Sequence, residues 1–242
     1  MNLNFKQFFK LFLAISLFFA IAASAAENIE PPPPPPQEKI NVFAVVSDDM
    51  EKAFKDAANA LKETEQIDSF PMQGFQVHCT LYMTQYPAGM KNEVLAKVEE
   101  LASTTRQFEV KTTGLEITSG NWFFMNLDRN HNLQALSNSV VELLSPMRAQ
   151  SDFVPEWAKP FPKKVESISK FGSPNVYEEF NPHLTFLAKA EIEKLNNFLK
   201  NHAESEFSKP ITGKIIAIGA GIADRNGQVP EPWKIFPLQP AE

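Results

Sequence analysis

Two short stretches decide how this chain is read: VHCTLYM at residues 77–83 and PHLTFLA at residues 182–188. Each places a histidine, one spacer residue, a threonine and a large apolar residue in a segment of strand length. On an extended strand, residues i and i+2 share a face. His78, Thr80 and Tyr82 are therefore expected on one side, with Cys79, Leu81 and Met83 on the other, against a core. In the second stretch His183 and Thr185 share a face, with Leu184 and Phe186 opposite. The chain holds 4 histidines and 10 threonines among 242 residues. By composition a histidine has threonine two places on about 4% of the time, so two such pairs are about a one-in-a-hundred event. The matching apolar contexts set the two copies apart from chance. His131 and His202 lack that context and are expected at the surface.

The flanking sequence reads as alternating strands and helices. Residues 40–46 (INVFAVV) form an apolar, β-branched run, and Ser47, Asp48 and Asp49 announce a helix over residues 50–61. The first motif strand covers residues 77–86 and stops at Pro87. Met90, Val94, Val98 and Leu101 follow at helical spacing. Residues 108–117 alternate like a half-buried strand, and Ser119-Gly120-Asn121 turns the chain into WFFMNL at residues 122–127, a hairpin. Leu133, Leu136, Val140, Leu143 and Leu144 mark the next helix. The second motif strand (183–189) precedes a helix carrying Ile192, Leu195 and Leu199. Strands over 211–222 and 233–238 flank an Asn226-Gly227 turn. The order is close to one unit repeated. It predicts an α+β, bilobal, duplicated fold of two antiparallel sheets with flanking helices, its motif strands meeting across a central cleft. The lobes are expected near residues 40–128 and 129–240.

Residues 151–181 break the pattern. Pro155, Pro160, Pro162 and Pro174 interrupt them, while Phe153, Trp157, Phe161, Phe171, Tyr177 and Phe180 supply aromatics. So long a loop is either functional or a surface excursion pinned by those rings.

The N-terminus reads as a targeting segment. Lys6 and Lys10 precede 13 residues, 11–23, that are apolar except for Ser16, and Ala23-Ser24-Ala25 offers a cleavage site. This predicts a secretory signal peptide over residues 1–25, too short for stable membrane insertion. Residues 26–39, with six consecutive prolines at 31–36, predict a stiff polyproline II spacer, so the folded domain is expected over 40–240. Export to the periplasm or outside the cell follows. Without the two leader lysines, 21 basic and 29 acidic side chains leave a net charge of −8. That excludes wrapping of long duplex nucleic acid, which needs a basic footprint, but admits a small anionic substrate. The single cysteine, Cys79, forms no internal disulfide and reads as a small buried apolar residue.

Paired imidazoles and hydroxyls suit a phosphodiester. One histidine activates water or a ribose hydroxyl, and the other protonates the departing oxygen. Threonine hydroxyls donate to the non-bridging oxygens, where transition-state charge collects. One histidine per strand lacks the spaced ligands of a zinc site, so no metal or other cofactor is expected.

The pair HCTL and HLTF resembles the two signatures of the 2H phosphoesterase superfamily, which includes RNA 2′,3′-cyclic phosphodiesterases and 2′-5′ RNA ligase-like proteins. INVFAVV, WFFMNL before a leucine-rich helix, Pro182 before the second histidine, and KIIAIGAGIAD…WKIFPL extend the likeness across residues 40–238. The resemblance implies a bilobal, metal-independent phosphodiesterase with His78 and His183 as the acid/base pair and Thr80 and Thr185 binding the phosphate. The expected substrate is a nucleotide or short RNA bearing a 2′,3′-cyclic or terminal phosphodiester, and the protein is expected to act as a monomer. The residue 151–181 insertion and the export signal depart from the family pattern. Tyr82 and Trp122 are candidate base contacts, the latter beside Phe124 on the hairpin strand; core packing is the competing reading for each. Lys159, Lys163, Lys164 and Lys170 either attract phosphates or cover a solvated loop. The rival functional readings are a non-catalytic nucleotide- or anion-binding module on the same fold and an interaction protein that works through its insertion.

Overall fold

A computed structural model describes residues 35–241. The predicted signal peptide and most of the proline-rich spacer lie outside the described residues. The strands are β1 (Gln37–Val46), β2 (Cys79–Pro87), β3 (Phe108–Ile117), β4 (Phe123–Leu127), β5 (His183–Leu187), β6 (Thr212–Ile222) and β7 (Lys234–Pro237). The helices are α1 (Asp48–Glu65), α2 (Lys91–Thr104), α3 (His131–Leu144), α4 (Pro162–Phe171) and α5 (Ile192–Asn201). β1 begins at Gln37, inside the segment expected to be spacer. Among the described residues no helix is long and apolar enough to cross a membrane.

The named strands pair antiparallel in the order β1-β2-β5-β4-β3-β6-β7, and β1 also pairs with β6, which closes a ring. The two expected sheets are thus joined. One join is the single pair Cys79–Leu184 between β2 and β5; the other is β3, which pairs β6 through Phe108–Lys111 and β4 from Thr112 onward. The halves are not consecutive segments either. β4 pairs with β5 and carries β3 on its other edge, while β6 pairs with β1 and carries β7 on its other edge. Exchange of strands between halves satisfies backbone edges that two separate sheets would leave open.

Helices α1, α2, α3 and α5 bury their apolar stripes in one core cluster with the strands. Phe54 of α1 stacks on Phe186 of β5 with ring centroids 4.0 Å apart, and Phe123 of β4 lies 4.9 Å from the same ring. Strand alternation works on β4: Phe123, Met125 and Leu127 enter the core, and Phe124 and Asn126 face away from it.

On β2 the alternation fails after Thr80. Val42 of β1 pairs with Tyr82 and Phe43 with Thr80, so Leu81 is an extra residue. This bulge sends both Leu81 and Tyr82 into the core and moves Met83 to the other face, the reverse of expectation for the last two. β5 repeats the device: Phe124 pairs with Thr185 and Phe123 with Leu187, so Phe186 is extra. In both motifs the bulge falls three residues after the histidine. The carbonyl of bulged Leu81 accepts a hydrogen bond from Ser137 of α3 at 3.0 Å. Ser137 is fully buried. Ser137→Ala is expected to lower unfolding free energy by about 1–3 kcal/mol, because it strands that buried acceptor. Urea denaturation of both proteins measures it.

The insertion is less irregular than its prolines predicted. Pro162 opens α4, where a missing N–H costs nothing, and Gly172 closes it with φ +70°. The Phe171 carbonyl accepts from the Tyr82 hydroxyl at 2.5 Å and the Gly172 carbonyl from Thr84 Oγ1 at 3.0 Å. Val176 and Phe180 are buried, so the C-terminal part belongs to the core. Phe153, Trp157 and Phe161 are instead exposed, at 73%, 55% and 51%, and pin nothing. The insertion's lysines pair with Glu156, Glu178, Glu179 and Glu166, as expected for a solvated charged surface.

Candidate active site

The site is built around the Cys79–Leu184 pair. Both side chains are fully buried, so the residues flanking each point away from the core. Extending that antiparallel register one residue each way sets His78 opposite Thr185 and Thr80 opposite His183. Directly opposed residues have Cα atoms about 4.5–5.5 Å apart. The two histidines are then diagonal neighbours, at about 7–8 Å, a span that accommodates one phosphate. Their fields interact, since His78 disfavours the charged form of His183.

Each imidazole is held in the same way. His78 Nδ1 lies 2.7 Å from the Gln76 carbonyl, and His183 Nδ1 lies 2.7 Å from the Asn181 carbonyl. A carbonyl only accepts, so Nδ1 carries the hydrogen in both neutral rings, which leaves Nε2 as the unprotonated nitrogen. The backings differ. His183 stacks on Phe124 with centroids 3.8 Å apart and planes 16° from parallel. The His78 ring tilts against Phe43 at 5.0 Å.

Burial pushes both histidines below their ordinary range. For His78, desolvation dominates, opposed by the Gln76 carbonyl and the Asp224 carboxylate. For His183, desolvation is again the largest cause, the Asn181 carbonyl opposes it, His78 adds to it, and Glu116 opposes; the result is about 4. A histidine that resists protonation when folded stabilises the fold fully above its unfolded pKa of about 6.5. That stabilisation is lost as pH falls from there toward about 4. His183→Gln is therefore expected to shrink the drop in unfolding free energy between about pH 7.5 and about pH 4.5. An unchanged drop in paired denaturant titrations would contradict the shift.

Sequence reading missed several neighbours. Asn41, the one polar side chain in INVFAVV, is fully buried, and its Nδ2 reaches Thr80 Oγ1 and the Gly227 carbonyl, each at 2.9 Å, and His78 Nε2 at 3.1 Å. A lone amide inside an apolar strand was the available signal. Asn126 of β4 pairs with His183 and donates from Nδ2 to Glu116 at 2.5 Å. Asp224 organises the turn beside Asn41, where its Oδ1 accepts from the Asn226 and Gln228 amides, both at 2.8 Å.

Of the two candidate base contacts, Tyr82 is corrected. It is 1% exposed, its hydroxyl is committed to Phe171, and burial pushes its pKa to about 12. The bulge at Leu81 is the reason it leaves the histidine face. Trp122 remains partly exposed, its ring 6.1 Å from Phe124. Phe124 serves as the backing of His183 and is only 8% exposed. Cys79 is buried as expected, with its thiol pushed up to about 12. Among the described residues no group of three or more His, Cys, Asp or Glu side chains is placed to hold a metal ion.

This site and fold define the class, an antiparallel α+β protein with paired His-x-Thr strands. The sequence profile of the 2′-5′ RNA ligase superfamily matches residues 50–219, and the chain belongs to that family of 2H phosphoesterases. No curated protein sequence matches the chain. Among solved structures, TT0787 of Thermus thermophilus shares the fold at 14% identity and a TM-score of 0.50, covering 84% of this chain and 100% of its own. E. coli LigT in apo form aligns at 11% identity and a TM-score of 0.46, over 84% and 98%. Kluyveromyces marxianus Usb1 aligns at 13% and 0.41, over 84% and 97%.

Proposed function

We propose that this protein is an exported, metal-independent phosphodiesterase that hydrolyses a small nucleotide or RNA-terminal phosphodiester, with a 2′,3′-cyclic phosphate as substrate. The observation that carries the reading is the Cys79–Leu184 pairing, which gathers two imidazoles and two threonine hydroxyls on one face. One imidazole takes a proton from water as its oxygen bonds to phosphorus. The other gives a proton to the ribose oxygen as the P–O bond breaks, leaving a phosphomonoester and a free hydroxyl. Thr80 and Thr185 donate to the non-bridging oxygens. The depressed histidine pKa values suit an anionic substrate, whose charge raises both when it sits between the rings. Export is read from the charged-then-apolar N-terminus.

The test is incubation of the purified protein with 2′,3′-cyclic nucleotides and short RNAs in EDTA, with products resolved by isomer. A monophosphate produced in EDTA supports the reading. Affinity for the same compounds without turnover overturns it in favour of a binding module.

A further inference from the structure

We propose that Asn41 is a positioning residue that holds the His78 ring and the Thr80 hydroxyl in one arrangement, leaving the Thr80 O–H free to donate into the cleft. The inference deepens the phosphodiesterase reading and rests on it for its kinetic arm only.

The amide orientation is determined by its partners. The Gly227 carbonyl accepts and never donates, so the Nδ2 of Asn41, 2.9 Å away, is the end that faces this cluster. One amide hydrogen goes to that carbonyl. The other is shared between Thr80 Oγ1 at 2.9 Å and His78 Nε2 at 3.1 Å. A hydroxyl that accepts from an amide keeps its own hydrogen for another partner, here a phosphoryl oxygen. A ring nitrogen that accepts from the same amide is held unprotonated. Once Nε2 gains a proton it no longer accepts, and the amide hydrogen passes wholly to Thr80. Asn41 thereby links the protonation of His78 to the orientation of the Thr80 donor.

Two features point to function rather than packing. Asn41 is fully buried within the otherwise apolar run of residues 40–46, and its Oδ1 has no hydrogen-bond partner among the described residues. Such an arrangement is retained at a cost to stability. The other half of the site lacks the device: Phe124 pairs with Thr185 as Phe43 pairs with Thr80, so the position matching Asn41 is Trp122, which carries no amide, and the Asn126 amide turns to Glu116. Asn41 makes two otherwise matched halves unequal.

The charged and titratable groups around His78 are Asp224 from the β6–β7 turn and His183 from β5, with Lys39 of β1 beyond Asp224. This permits a test that separates the amide from its role as a tether of the turn. Imidazole-labelled full-length protein is titrated by NMR as wild type, Asn41→Leu, Asn41→Ser and Asp224→Ala. The serine variant is the second choice should leucine prevent folding, since its short hydroxyl does not span both partners. All three changes loosen the turn. Loss of the amide donor is expected to move the His78 titration upward by about half to one pH unit, and loss of the Asp224 charge to move it downward. Asn41 variants that leave His78 unmoved, or shift it as Asp224→Ala does, overturn the proposal.

In kinetics on a 2′,3′-cyclic nucleotide, Asn41→Leu is expected to lower kcat by about tenfold or more with KM within about threefold. Adding Thr80→Val is then expected to cost less than about threefold further, whereas independent roles would multiply. Multiplied losses overturn it. If the wild type turns over no phosphodiester, the function reading falls alone, and the titration still decides the role of Asn41.

Discussion

Replacing either His78 or His183 by alanine is expected to lower kcat/KM for a 2′,3′-cyclic nucleotide by about 10²–10⁴-fold, the range for removal of a general acid or base. The Nδ1 contacts to the Gln76 and Asn181 carbonyls are lost with the rings, but Gln76 is partly exposed and Asn181 exposed, so water can replace the rings and both variants are expected to fold. The double variant is expected to be little worse than the worse single one, since proton removal and delivery act as a unit. Circular dichroism beside the kinetics separates lost chemistry from lost structure. Folded single variants with wild-type rates would end the two-histidine mechanism.

Phe186→Ala is expected to destabilise the protein by about 3–5 kcal/mol. Phe186 is fully buried, stacked on Phe54 at 4.0 Å and on Phe123 at 4.9 Å, so truncation empties the contact between α1 and the sheet. It is also the bulged residue beside Thr185, so its packing holds the turn in strand direction that sends Leu187 into the core. Phe186→Leu keeps most of the volume and is expected to cost less than half as much. Denaturant unfolding of the three proteins measures the difference. A loss under about 1 kcal/mol for alanine would mean that the core collapses into the vacancy. Phe124 offers the contrast, since it faces the cleft and its removal should act on His183 orientation more than on stability.

Much of this was legible in the residues. Strand periodicity in HCTL and HLTF separates Cys79 and Leu184 from their polar flanks, and the helical spacing of Leu133, Leu136 and Val140 is met by α3. The failures share a cause: a bulge or a cap changes what a periodic pattern means. One extra residue at Leu81 turned Tyr82 from a candidate base contact into a core side chain. Pro162 and Gly172 bound a helix in a segment whose prolines read as loop. Asn41 escapes a periodic reading, because a single polar residue in an apolar run carries no period.

The sequence by itself determined the local facts: which side chains alternate, which residue types can move a proton near neutral pH, and that two copies of the pattern exist. Only the tertiary structure decided that the copies meet. Strand pairing between residues more than a hundred apart depends on the closing of the ring, and no local propensity encodes it. The Cys79–Leu184 register, one residue pair long, is what makes four scattered side chains a single site.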